Sequence, residues 1–493
     1  MIGSLRQSMA WLHTWAGLLF GWLLYAVFLT GALTVFAAEL TRWMTPETLA
    51  ARPADRAQAL RAAQDWLTRH APAGAQGWQI ELPDARNPAL RVAWQQPGDS
   101  GAALLDPASG QALAPRDTEG GEFLIEFHYS LHAGLPGILL VGLASLVMMV
   151  TLVSGLIVHR RLLADFFTFR PRASPGRSWL DAHNVLGVLP LPFHLMITCT
   201  ALSTLLLTYL PAGIDSRYGG DPGEFVAQAF PAPATSTGDG QPAATLPLID
   251  AVTRAEAHLG RHKAAMVLVR QPNRTDTVVD VLRAYDDRFM AFPDRVSLNG
   301  ATGDVLQVSD QYRASLTLVR TLGGLHYGRY AQPLLRWMYF LLGAAGAAMI
   351  ATGLLLYTVR RSERPSRFDR LAARMNIAMI AGPLYACAGY LLANRLYWPQ
   401  SPGLHEREVA VFFALWGLSA LHAALRPPAR LWREQWLGLA ALLLAIPVAD
   451  AWTLAAAGSL PAATATVVYP AMWVACGLAA ALCMRAARPP RKA

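Results

Sequence analysis

Eight apolar stretches constrain this 493-residue chain more than any other feature, near residues 11–37, 136–158, 184–210, 334–358, 375–397, 408–425, 434–454 and 466–484. A helix needs about 20 mostly apolar residues to cross the hydrocarbon of a bilayer, and each stretch is close to that length. The expectation is a polytopic α-helical membrane protein with about eight transmembrane helices. Composition agrees, since only 15% of residues are charged, against roughly 25% in soluble domains. The first stretch is too long for a signal peptide and lacks a small-residue cleavage site, while Trp11, Trp15 and Trp22 suit an anchored helix.

The net charge of +9 fits nucleic-acid binding only if the basic residues form an interleaved surface, and they do not. They are nearly all arginines, and they cluster beside the apolar stretches. Arg160, Arg161, Arg170, Arg172 and Arg177 follow the second stretch; Arg360, Arg361, Arg364, Arg367, Arg370 and Arg374 follow the fourth. Arg426, Arg430 and Arg433 follow the sixth, and Arg485, Arg488 and Arg491 the eighth. Short arginine-rich loops stay cytoplasmic, so these four are expected on the cytoplasmic side of a bacterial inner membrane, as are both termini.

The expected plan is then helix 1 in 1–37, a periplasmic domain in 38–130, helix 2 in 131–160 and a cytoplasmic loop in 161–182. Helix 3 in 183–210, a second periplasmic domain in 211–330, helix 4 in 331–360 and a four-helix membrane unit in 375–486 complete it. The four cysteines, Cys199, Cys387, Cys476 and Cys483, all fall in apolar stretches, so no disulfide framework or CxxC pair is expected.

Each long segment reads as a small α+β unit, an amphipathic helix (56–70 and 247–260) followed by short alternating strands. Their last hairpins match, Leu104-Leu105-Asp106-Pro107-Ala108-Ser109-Gly110 against Ser297-Leu298-Asn299-Gly300-Ala301-Thr302-Gly303. The flanking helices repeat too. His13-Thr14-Trp15-Ala16-Gly17 corresponds to His183-Asn184-Val185-Leu186-Gly187, and Leu131-His132-Ala133-Gly134 to Leu325-His326-Tyr327-Gly328. Spans one to four are thus two copies of helix, exported domain, helix, and parallel repeats bring equivalent residues toward a common axis.

Seven of the twelve histidines sit in or beside those four spans: His13, His128, His132, His159, His183, His194 and His326. Ionisable residues in lipid point to a functional site, and imidazole is a standard haem-iron ligand. By depth, His13, His183 and His159 form a cytoplasmic layer, and His132, His326 and His128 a periplasmic one. His194 lies eleven residues after His183, ~16 Å deeper and ~20° round an ideal helix, though Pro190 and Pro192 can kink it. Repeat symmetry pairs His13 with His183 and His132 with His326. A competing pairing uses His194 for one of these irons, and the spacing does not choose. His128 has no repeat partner, and a lipid-headgroup contact would suffice for His159. His422 reads as structural, and the patch Tyr285-Asp286-Asp287-Arg288-Phe289 as a polar hairpin tip.

With these residues in view, the chain resembles the PepSY-associated transmembrane family, which includes bacterial iron-regulated membrane proteins and ferric-siderophore reductases. The resemblance rests on His13-x-Trp15-x-Gly17 with Thr30-Gly31, Phe127-His128-x3-His132, Ser154-Gly155-Leu156-Ile157-Val158-His159-Arg160-Arg161, Asp165-Phe166-Phe167-Thr168-Phe169-Arg170, and Asp181-Ala182-His183-Asn184 running to Pro192-Phe193-His194. It covers about residues 5–360. The likeness implies PepSY-like exported domains and two b-type haems held by His13, His132, His183, His194 and His326. It further implies electron transfer to a periplasmic ferric siderophore from a separate cytoplasmic or quinol donor. The chain departs from the family at Thr200-Ala201, where Thr-Gly is usual, and shorter members lack a counterpart of 375–493. Two other classes compete: a non-enzymatic PepSY protein that senses or inhibits a periplasmic protease or ligand, and a transporter, for which the buried-carboxylate candidate is Asp450.

Overall fold

The computed structural model describes residues 4–159, 169–171, 173–209, 211–397 and 401–488. Arg160, Arg161, Arg172, Arg491 and the run from Asp165 to Thr168 lie outside the described residues. The chain divides into two compact units. One comprises 1–46, 116–202 and 333–493, the other 47–115 and 203–332.

The first unit is a bundle of long apolar helices. Among the described residues seven are long and apolar enough to cross a membrane, and a bent pair makes an eighth. They are span 1 (Leu5–Thr34), span 2 (Gly134–Val158), span 3 (Pro175–Val188 with Leu191–Thr204), span 4 (Pro333–Val359), span 5 (Arg367–Leu396), span 6 (Leu404–Leu425), span 7 (Arg430–Ala456) and span 8 (Val468–Ala486). Span 3 bends by 63° at its break. Pro190 stands in that break and Pro192 just after it; neither has an N–H, and each ring crowds the preceding turn.

Two helices start earlier than hydropathy suggested, because capping residues rather than apolar ones set their ends. Ser4 and Gln7 close a reciprocal box at span 1, and Ser366 and Asp369 do so at span 5. Span 1 packs against spans 2 and 4, with Leu18, Leu24, Met148, Leu152, Ile350 and Leu354 in the shared core. Residues 116–130 also belong to this unit rather than to the preceding domain, and include a helix, Glu122–Ser130.

The second unit holds one antiparallel sheet. Its strands are β1 (Gly77–Glu81), β2 (Leu90–Gln96), β3 (Asp99–Leu105), β4 (Ala112–Leu113), β5 (Ala264–Arg270), β6 (Val278–Arg283), β7 (Arg295–Asn299) and β8 (Val305–Ser309), in the order β4-β3-β2-β1-β5-β6-β7-β8. The two repeated segments are therefore not separate domains: β1 pairs with β5, from Gly77 opposite Arg270 to Glu81 opposite Met266. Joining first strands removes the open edge each four-stranded half would otherwise present. Helices Arg56–His70 and Leu248–Leu259 bury Leu60, Leu67, Leu248 and Val252 against Ile80, Val92, Val267 and Val281. The matched hairpins turn alike, with Gly110 at φ 69° and Gly303 at φ 79°, and each glycine N–H donates to the carbonyl four residues back at 2.8 Å.

Candidate functional site

Four buried or half-buried histidines of the helical unit are held by one repeated device. His13 Nδ1 lies 2.9 Å from the Thr151 carbonyl on span 2, and His183 Nδ1 lies 2.8 Å from the Met349 carbonyl on span 4. A carbonyl only accepts, so the ring nitrogen beside it carries the proton, which leaves Nε2 of both rings with its lone pair free. Ser154 and Thr352 take equivalent places, their hydroxyls 3.3 and 3.5 Å from the same Nδ1 atoms.

The other two follow the pattern with other helices. His128, on the helix Glu122–Ser130, lies 2.8 Å from the Val27 carbonyl of span 1, and His194 Nε2 lies 3.2 Å from the Leu342 carbonyl of span 4. His194 is fully buried, and its Nδ1 has no hydrogen-bond partner among the described residues.

In all four cases the residue four positions after the accepting carbonyl is glycine: Gly155 after Thr151, Gly353 after Met349, Gly31 after Val27 and Gly346 after Leu342. A helical carbonyl points along the axis toward residue i+4, so a side chain there blocks a second donor. A Cβ on Gly31 would stand 2.5 Å from the His128 ring, on Gly353 3.0 Å from His183, on Gly155 3.1 Å from His13, and on Gly346 3.0 Å from His194. The glycines thus admit imidazoles to carbonyls already used by the helix.

His13 and His183 come together, with ring centroids 6.2 Å apart and ring planes at 69°. They line a cavity of about 950 Å³ among spans 1 to 4, which also receives His159, Gly17, Gly21 and Gly187. Arg6, Arg177, Arg360 and Arg361 line it too. His128 and His194 flank one turn of span 1 elsewhere: Val27 and Gly31 receive His128, and Phe28, between them, has its ring 6.1 Å from that of His194.

His132 and His326, the other expected pair, belong to different units. His132 is exposed, with Nδ1 3.1 Å from the Glu126 carboxylate, and its ring rests near Phe123 and Phe413. His326 ends the helix Ala314–Tyr327 of the other unit, beside the Tyr327 ring. His422, read from the sequence as structural, meets Glu434 at 3.0 Å and Gln435 at 3.1 Å. What sequence reading did not show was the contact of His128 with the Val27 carbonyl, and the spacing of glycine four after an acceptor was the signal, visible only once the acceptors are known.

Residues 10–360 match the family described as the PepSY-associated TM region. The chain belongs to this family. It is a multi-pass membrane protein, and all four histidine cradles fall within the matched region. A relative, an uncharacterized protein of Pseudomonas aeruginosa, is 26% identical over 325 residues, covering 62% of this chain and 80% of its own length.

Proposed function

We propose that the helical unit binds b-type haem and carries electrons across the bacterial inner membrane to a periplasmic ferric siderophore, the donor being a separate cytoplasmic protein or quinol. The observation that carries this reading is the His13–His183 pair. Their ring centroids lie 6.2 Å apart, the Nδ1 contacts leave both Nε2 lone pairs available, and these two imidazoles would be the protein's ligands to one haem iron. Two nitrogens are too few to hold a bare ion, so the metal would have to arrive in a group that carries its own ligands, as haem does.

Haem bound there supplies one-electron redox chemistry. The protein's own part is to hold and orient. Thr151 and Met349 fix the tautomers of the two rings, which keeps Nε2 as the ligating atom and raises its basicity. Gly155 and Gly353 set the distance of each ring from its helix. Arg6, Arg177, Arg360 and Arg361 give the cavity cationic groups for the carboxylates such a ligand carries. His128 and His194, which rest on carbonyls of spans 1 and 4, are the residues we assign to a second haem; the Leu342 carbonyl stands about 10 Å along span 4 from that of Met349. The arginine-rich segments support a cytoplasmic side for the His13–His183 level. Reduction favours iron release because hard oxygen chelators hold Fe(II) less tightly than Fe(III).

Pyridine haemochrome assay of the detergent-purified chain tests the reading, followed by reoxidation of the reduced protein with a ferric siderophore. Two haems per chain and rapid reoxidation are expected. A colourless protein sinks the haem assignment, and a reduced haem protein inert to ferric siderophore sinks the acceptor.

A further inference from the structure

Beyond the histidine cradles, the bundle buries two carboxylates in contrasting surroundings. Asp450 of span 7 and Arg395 of span 5 form an ion pair at 2.6 Å, with both side chains fully buried. Trp43 and Trp473 donate their indole N–H groups to the other Asp450 oxygen at 2.9 and 2.7 Å. Arg395 also donates to the Trp43 carbonyl and to Asn394 Oδ1. Each charge of this pair is matched, and nothing in it calls for a change of protonation.

Glu408 of span 6 is as deeply buried, and its surroundings differ. Its carboxylate accepts from the Thr118 hydroxyl at 2.6 Å and from the Asn394 amide at 2.7 Å, both uncharged. No Lys, Arg or His nitrogen stands within ion-pair distance of it among the described residues. The nearest cations are Arg116, bound to the Asn394 carbonyl at 2.6 Å, and Arg395, committed to Asp450. Tyr390, one turn earlier on span 5, also faces it and directs its hydroxyl to the Gly120 carbonyl, with Glu119 nearby. A carboxylate buried without a counter-ion is costly in a membrane bundle, and protonation removes that cost. Thr118 permits the change, since a hydroxyl that donates to the carboxylate can rotate and accept from the carboxylic acid.

A route to solvent adjoins it. Asp117, next to Thr118, pairs with His405 at 2.7 Å, and both side chains reach water, at 64% and 35% exposure. His405 lies three residues before Glu408 on the same helix, so the surface pair is one turn from the buried carboxylate.

We propose that Glu408 is a proton-binding site of the membrane bundle, filled from solvent by way of the Asp117–His405 pair and Thr118. In the loading step a proton from water forms an O–H bond on the Glu408 carboxylate, the site gains one positive charge, and no electron moves there. The role we give it, proton uptake that compensates an electron entering the bundle, rests on the haem reading. The proton site itself does not.

Infrared spectroscopy of the full-length chain in detergent tests the site without reference to haem. A carboxylic-acid C=O band that grows as pH falls and shifts in D2O is expected. Glu408→Gln should abolish it, and Glu408→Asp should move it, which guards against a variant that misfolds. A wild-type band persisting in Glu408→Gln overturns the proton site. His405→Gln should slow deuterium exchange of that band at least tenfold, and unchanged exchange overturns the route. For the coupling, the midpoint potential should fall as pH rises in the wild type and lose that dependence in Glu408→Gln. Equal slopes, or a protein without haem, overturn the coupling and leave the infrared result to decide the site.

Discussion

The two halves of the four-span core build the same cradle from different residues, and the difference shows which parts matter. His13 rests on Thr151, Ser154 and Gly155; His183 rests on Met349, Thr352 and Gly353. The position that lends only its carbonyl is Thr in one half and Met in the other, whereas a hydroxyl follows three residues later and glycine four later in both. At the next level the halves part company. Span 3 breaks and carries His194 eleven residues after His183, while span 1 runs on unbroken with Leu24 eleven residues after His13. The first half takes its second imidazole from a separate helix, as His128 over Gly31.

If the first level is symmetric, His13→Ala and His183→Ala should be equivalent. Each is expected to remove about half of the bound haem, and the double variant to be no worse than either single one, because two ligands of one ion act as a unit. Haem content by pyridine haemochrome is the measurement. Loss confined to one of the two variants would show that the repeat is only apparent.

Gly31→Ala and Gly155→Ala then compare the levels. The new Cβ meets His128 at 2.5 Å but His13 at 3.1 Å, so the first variant must expel its ring while the second needs a shift of tenths of an ångström. Overpacking of the first kind costs roughly 1–3 kcal/mol. Redox titration should show one component lost in Gly31→Ala and both kept in Gly155→Ala; identical titrations would separate the glycines from ligand placement.

Pro190→Ala probes the broken helix. Restoring the N–H favours a straighter span 3, more like span 1, which would draw His194 away from the Leu342 carbonyl. A weakened second component with an intact first one is expected. An unchanged titration would mean that packing on span 4, and not proline, holds the bend.

Much of this architecture is legible in the sequence. Apolar runs of bilayer length gave the spans, matched hairpin sequences gave the repeat, and Pro190 and Pro192 marked the bend. The pairing of β1 with β5 was not legible, because alternating strands such as Gly77–Glu81 state which face is buried but not which edge they meet. Nor was the company of His128. Its acceptor, Val27, is 101 residues away, and a carbonyl leaves no trace in side-chain identity. The repeat, which drew attention to His132 and His326, pointed away from His128, whose register in the second half is Leu322.

The matched hairpins offer the finest comparison, between a charged turn and a neutral one. Asp106 begins the first turn and Asn299 the second. Burial acts to raise the Asp106 carboxyl, but hydrogen bonds from Ser109, from the Arg52 backbone and guanidinium, and from Ala108 outweigh it and hold the group well below the usual carboxylate range. Asn299 accepts from the Ala301 and Thr302 N–H groups with no charge involved. A carboxyl depressed in the folded state stabilises fully above its unfolded value of about 3.9, and that stability is lost as pH falls through the folded value. Asp106→Asn should therefore lower the Tm of the full-length chain by a few degrees at pH 7 and by less as the pH approaches the acid range. Asn299→Ala should instead cost the same at both, since its hydrogen bonds do not titrate. Thermal melts followed by tryptophan fluorescence at the two pH values decide it: a loss in Asp106→Asn that is independent of pH would mean that the turn geometry, and not the charge, is what Asp106 supplies.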